Sequence, residues 1–161
     1  MAILAGAPAS LQRSVEDFED DPEQAIRDLK KINFTRHDLL VGISASGSAP
    51  YVLGGMRYAR RRCAMVAALT SNPDAALKAL ADVTILTVVG PEVIAGSSRM
   101  KSGTAQKLVL NMLSTAVMVR LGRVLSNCMI NVQLTNQKLR ERAQGILVQL
   151  TGASPATAAR A

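Results

Sequence analysis

The sequence predicts an α/β domain: a doubly wound, mostly parallel sheet flanked by helices in three layers. Three observations carry that expectation. Unbroken apolar runs at 38–44, 63–69 and 83–89 have the pattern of strands buried on both faces. Helical stretches separate them, and the first run passes into a helix through a Ser/Gly turn. Within about thirty residues this makes a βαβ unit, so its two strands should be parallel with a right-handed crossover.

The elements follow in order. "AILA" at 2–5 reads as a short buried strand, and Met1 sits almost directly on it, so no element is expected ahead of it. "EDFEDDPE" at 16–23 holds six of the twelve acidic residues. Asp21 before Pro22 gives a capped start to the helix "PEQAIRDLKKI". "DLLVGIS" is the first long strand and ends in "SASGSAP". Pro50 opens the next helix, whose last turn carries Arg57, Arg60, Arg61 and Arg62, cations that suit the negative end of a helix. "CAMVAAL" is a strand, "SNPD" opens a short helix to Leu80, and "VTILTVV" is another strand. A helix over roughly 102–121 and a last one in "TNQKLRERAQGILVQL" complete the fold. Residues 1–152 are read as one domain and 153–161 as a flexible tail.

Composition narrows the function classes. Of 161 residues 48% are hydrophobic and 19% charged, which is globular composition, and the only aromatics are Phe18, Phe34, Tyr51 and Tyr58. Aliphatic side chains must therefore build the core. The formal charge of +7 raises a nucleic-acid partner, but the cations are scattered outside the arginine cluster and no aromatics interleave them as stacking platforms. No nucleic acid is expected. "LVLNMLSTAVMV" is too short for a bilayer and is broken by Asn111, Ser114 and Thr115, and "MAILAGAPAS" lacks the basic start of a signal peptide. Cys63 and Cys128 have no metal-ligand spacing and read as buried thiols of a reducing compartment. A soluble cytoplasmic protein is the expectation, with no membrane partner.

Two loops carry the chemistry. Small residues and hydroxyls in "SASGS", Ser44 to Ser48, suit a bound phosphate next to a helix N-terminus, although a plain tight turn has the same composition. The pattern is neither a Walker A loop nor G-x-G-x-x-G. In "PEVIAGSSRMKSGT" the groups of Ser97, Ser98, Arg99, Lys101, Ser102 and Thr104 crowd the start of a long helix, which suits an anionic ligand. The plainer reading makes Ser102 an N-cap, with Arg99 and Lys101 solvated. His37, the only histidine, is read as a surface residue, and Leu108, Met112 and Leu113 as core or subunit interface.

"VGPEVIAGSSRMKSGTAQKLVLNMLSTA" resembles the signature of the N-acetylmuramic acid 6-phosphate etherases, a branch of the sugar isomerase (SIS) domain proteins that also includes the glucokinase regulatory proteins. The resemblance runs from "SVEDFEDDPEQAIRDLKKIN" through "VGISASGSAPYVLGGMRYAR" and "ALTSNPD" to "TNQKLRERA". It implies a SIS-type sheet and removal of D-lactate from the 3-position of N-acetylmuramic acid 6-phosphate in cell-wall recycling, by elimination and then hydration. No metal or organic cofactor is implied; the partners are a phosphorylated amino sugar and a second copy in a homodimer. Glu19 matches an acid/base glutamate, and its acidic neighbours should raise its proton affinity. Ser44, Ser46, Gly47 and Ser48 fall in the phosphate loop; Glu92, Ser97, Ser98, Arg99 and Lys101 fall in the loop assigned to shaping the sugar site.

The sequence also departs from the family pattern. An upstream strand with a Gly/Thr/Ser-rich loop and a D-A-S-E segment carrying the other acid/base glutamate have no counterpart here, so a shortened SIS domain is expected. Ser48 and Ala49 stand where Arg and Thr are usual, and each loss is expected to weaken phosphate binding by about 1–3 kcal/mol. Ala95 replaces a usual threonine. A non-catalytic sugar-phosphate-binding module and an inactive remnant therefore stand as alternatives to an etherase.

Overall fold

The computed structural model describes residues 1–7 and 16–160. Two compact units divide the chain, Met1–Val109 and Leu110–Ala161. The first is built on a three-stranded parallel sheet, β1 (Leu39–Ile43), β2 (Met65–Thr70) and β3 (Val83–Leu86), in the order β1-β2-β3. Register pairs Leu39 with Met65 and Ile43 with Leu69, then Ala67 with Val83 and Thr70 with Leu86. The βαβ unit anticipated from the first two apolar runs is thus formed, with β1 and β2 parallel.

Helix α1 (Pro22–Lys31) starts where Asp21 predicts it: the Asp21 carboxylate accepts the N–H groups of Glu23 and Gln24 at 2.9 and 3.0 Å, with Pro22 in the first turn. Arg27 pairs with the same carboxylate at 2.7 Å. These donors hold the Asp21 carboxyl below its ordinary value, the Gln24 N–H most of all. Helix α2 (Pro50–Arg61) packs on α1 and on β1 and β2. Gly42 lets that happen, since a Cβ there would lie 2.5 Å from the Met56 sulfur.

The core is aliphatic, as the scarcity of aromatics requires. Met56, Val66 and Leu77 are fully buried, and Leu29, Phe34, Ala59, Ala64 and Ala68 close around them, while Leu69 is fully buried outside this cluster. Each large side chain contributes about 1.5–3 kcal/mol of burial. Adjacent residues of β2, Val66 to Thr70, are all buried, so both faces of this central strand are covered.

Three expectations need correction. Residues 2–5 form no strand, because a lone extended segment leaves its ladder groups unpaired; they end instead in a turn in which Ala7 N–H donates to Leu4 O. Cys63 is exposed: it follows the cap of α2 in the left-handed region (φ 56°), where the turn into β2 aims it at solvent, whereas Cys128 is buried. Leu108, Met112 and Leu113 are exposed at 49%, 62% and 37%, which excludes the core half of the reading and leaves the subunit interface. The short helix read up to Leu80 is present as a 3₁₀ helix over Ala76–Leu80.

The long helix α3 (Lys101–Arg120) forms as expected. In the second unit, a two-stranded hairpin of β4 (Val124–Leu125) and β5 (Cys128–Met129) was not anticipated. Its turn residues Ser126 and Asn127 are the available signal, with Ser126 at φ 54°. Helix α4 (Gln137–Thr151) is capped by the Asn136 side chain on Leu139 N–H and ends at Gly152 in the left-handed region. A further helical turn, α5 (Pro155–Ala158), capped by Ser154, lies within the stretch read as a tail. Among the described residues, no helix is long and apolar enough to cross a membrane.

Candidate functional site

Both candidate loops leave the carboxyl ends of parallel strands, which is where open α/β sheets bind ligands. The first, Ser44–Ala49, joins β1 to α2. Ser44 N–H still belongs to the sheet and donates to Leu69 O at 3.1 Å. The chain then turns on Gly47, at φ +73°, where a Cβ would lie 2.1 Å from the Ala75 Cβ. Only glycine fits both the angle and the space.

Around that turn the three hydroxyls line up. Ser44 and Ser46 Oγ are 3.4 Å apart, Ser46 and Ser48 Oγ 3.0 Å, and Ser44 Oγ accepts Gly47 N–H at 3.0 Å. Ser46 and Ser48 are exposed. Helix α2 begins beside them with Ala49 as its cap residue and no side-chain cap bond. Among the described residues, the N–H groups of Tyr51 and Val52 meet no protein acceptor. A row of hydroxyls against an uncapped helix N-terminus is chemically an anion cradle.

Residues to which the sequence assigned no role support this loop. Thr70, fully buried at the end of β2, donates its hydroxyl to Ala45 O at 3.1 Å and accepts Asn72 N–H at 3.2 Å. Asn72 Nδ2 donates to Ser46 O at 2.9 Å, and Leu77 N–H donates to Gly47 O at 3.1 Å. Ser71 and Thr87 Oγ atoms meet at 3.2 Å, joining the ends of β2 and β3. The signal in sequence was "TSNPD" directly after a strand, a run of turn residues that bond their own backbone.

The second loop runs from β3 to α3. Glu92 reaches across it: Oε2 accepts Lys101 N–H and Oε1 accepts Ser102 N–H, both at 2.9 Å. Lys101 Nζ donates to Pro91 O at 2.6 Å. The backbone donors, that of Ser102 first, hold the Glu92 carboxyl below its ordinary value. This overturns the plainer reading of the loop. Glu92, not Ser102, caps α3, because a carboxylate offers two acceptors to two unpaired helix donors and is favoured by the dipole. Ser102 is buried inside the first turn, and Lys101 is tied to the loop rather than free. Ser98 O accepts Gly103 N–H at 3.0 Å, Ser97 is half-buried, and Arg99 is exposed.

Glu19 is exposed on the 3₁₀ helix Glu16–Asp20, which packs against α2. Of the acidic neighbours invoked for it, Asp21 is already neutralised by its cap bonds and Arg27. Ser14 and Val15, at the start of the matched segment, lie outside the described residues. His37 is exposed, as read. Among the described residues no group of three or more His, Cys, Asp or Glu could hold a metal ion.

Residues 1–60 match the family model described as the glucokinase regulatory protein N-terminal SIS domain. An N-acetylmuramic acid 6-phosphate etherase 2 of Vibrio parahaemolyticus is 49% identical over 161 residues, covering 100% of this chain and 54% of that protein. By sequence, the chain is similar to N-acetylmuramic acid 6-phosphate etherases. An etherase of Alkaliphilus metalliredigens is 51% identical over 152 residues, which are 94% of this chain and 50% of that one. One of Klebsiella aerogenes is 48% identical over 161 residues, 100% of this chain and 54% of that one. The chain thus spans about half the length of these relatives. Among solved structures, the Vibrio vulnificus NanR protein complexed with ManNAc-6P shares the SIS-type fold, with a TM-score of 0.50 at 16% identity over 83% of this chain and 45% of that one.

Proposed function

We propose that this chain carries the sugar-phosphate site of an etherase that releases D-lactate from N-acetylmuramic acid 6-phosphate. The observation that carries the reading is the Ser44–Ser48 hydroxyl row against the uncapped N-terminus of α2, in a chain about half identical to named etherases. In this reading the phosphate takes hydrogen bonds from Ser44, Ser46 and Ser48 and from the N–H groups of Tyr51 and Val52. Gly47 allows the close approach. Glu19 moves a proton at the reacting carbons, and water completes the hydration. Glu92 fixes the second loop, so that Ser97, Ser98 and Lys101 shape the sugar side and Arg99 faces the lactyl carboxylate. The setting is cytoplasmic cell-wall recycling, and a homodimer is supported by the exposed apolar residues of α3, including Met112, Val117 and Met118.

Ser48 and Ala49 favour one second reading, a module that binds the sugar phosphate without turnover, since a guanidinium and a hydroxyl of the family loop are missing. A coupled D-lactate assay with N-acetylmuramic acid 6-phosphate, beside a thermal shift with N-acetylglucosamine 6-phosphate, separates the two. The etherase reading expects lactate release that Glu19→Gln lowers by roughly 100-fold or more. A thermal shift without lactate gives the binding module, and no response in either sinks both.

A further inference from the structure

The amino ends of the strands, opposite the candidate loops, carry a cleft of about 450 Å³ lined by Thr35, Arg36, His37, Arg61, Arg62 and Cys63. Its origin is topological. Thr35–His37 precede β1 and Arg61–Cys63 precede β2, and the parallel pairing of Leu39 with Met65 sets the two segments side by side. Arginines from both sides therefore line one space.

Their charge is unbalanced. Arg60, next in sequence, is occupied by Asp82 at 3.1 Å and by Leu80 O, but among the described residues Arg36, Arg61 and Arg62 form no ion pair. One carboxylate stands nearby, Asp38, and it is engaged by the N–H and hydroxyl of Thr35 at 2.7 and 2.9 Å. The end of α2 adds roughly half a negative charge. Three cations against these leave the cleft positive. Arg36 Nε donates to His37 Nε2 at 3.4 Å, too long a bond to satisfy its donors.

We propose that this cleft binds a small polyanion of the diphosphate type, bridging Arg36 on one side and Arg61 and Arg62 on the other. Planar guanidiniums match phosphate oxygens in pairs, and a ligand with charge at both ends relieves the mutual repulsion of the three cations more fully than a monovalent ion does. The volume lies within the range of small-molecule sites. This site is separate from the Ser44–Ser48 loop and does not depend on the activity assigned there.

Cys63 provides a local readout, because it lines the cleft and is exposed while Cys128 is buried. The experiment measures the rate of Cys63 alkylation by N-ethylmaleimide, a neutral reagent, by peptide mass mapping of the whole chain. Pyrophosphate is compared with orthophosphate and chloride at equal ionic strength. Pyrophosphate at ten times its dissociation constant should slow alkylation about 10-fold, orthophosphate less and chloride not at all. The pair Arg36→Gln, Arg62→Gln should lose the protection while keeping the thermal midpoint, and Ser46→Ala should keep the protection. Equal effects of chloride and pyrophosphate, protection that survives the double arginine variant, or protection lost in Ser46→Ala would each overturn the proposal.

Discussion

The serine loop after β1 and the Glu92 loop after β3 face the same problem and solve it differently. Each delivers the chain from a parallel strand to a helix whose first N–H groups lack partners. At α3 the chain supplies its own anion: the Glu92 carboxylate takes two of those donors at 2.9 Å. At α2 it supplies none, since Ala49 has no side-chain acceptor, and three serine hydroxyls are gathered alongside. A helix end closed by its own carboxylate is structural, and one left open beside hydroxyls is where an external anion gains most. The difference supports the proposed division of work, in which the serine loop takes the phosphate and Glu92 positions the side chains of the second loop.

The serine loop is the easier to break. In Gly47→Ala the new Cβ would lie 2.1 Å from Ala75 Cβ at a φ of +73°, so the turn must open. A loss of about 2–4 kcal/mol by urea denaturation is expected, with no thermal shift by N-acetylglucosamine 6-phosphate. A variant that keeps wild-type stability and ligand response would show that the turn tolerates another path.

The Glu92 loop should break through pH. Its folded carboxyl is held below the ordinary value of 4.5 by backbone donors, so its contribution is complete above that value and is lost as pH falls through the lower folded value. Thermal midpoints between pH 5 and pH 2 should decline less steeply in Glu92→Gln than in the parent, with the parent the more stable near neutrality. Parallel curves would mean that the carboxylate does not hold the loop through its charge.

How much of this was legible beforehand depended on the range of the interactions. β1, β2, α1 and α2 were readable because unbroken apolar runs and local caps such as Asp21 act within a few residues. Strand 2–5 failed because a strand exists only beside a partner, which no local pattern reveals. The serine loop was visible in composition, but its support was not: Asn72 reaches Ser46 O across 26 residues, and Thr70 reaches Ala45 O across 25. Glu92 was picked from family resemblance as a sugar-site residue, and its cap on residues nine and ten positions ahead is a geometric fact with no sequence rule behind it.

Those long-range supports give a smaller prediction. Asn72→Ala removes the 2.9 Å bond to Ser46 O and the bond from Asp74 N–H to Oδ1, leaving Ser46 less constrained. A loss of about 1 kcal/mol is expected, with the affinity for N-acetylglucosamine 6-phosphate reduced by more than the stability change explains. Titration calorimetry beside denaturation decides it; unchanged affinity would show that the loop holds its shape without Asn72.

The smallest effect tests the comparison from the other side, by giving α2 what α3 already has. Ala49 occupies the cap position with ψ 119°, so a threonine there needs no new backbone geometry, and its hydroxyl would accept an N–H of the first turn. Ala49→Thr should therefore raise stability by about 0.5–1 kcal/mol, as capping does elsewhere. Its effect on ligand binding is the sharper test. Donors shared with a neutral hydroxyl remain available to a phosphate, and the same hydroxyl can donate to it, so affinity for the sugar phosphate should rise rather than fall. A variant that is more stable but binds more weakly would mean that the cap and the ligand compete for the same N–H groups, and that the open helix end is itself the binding determinant.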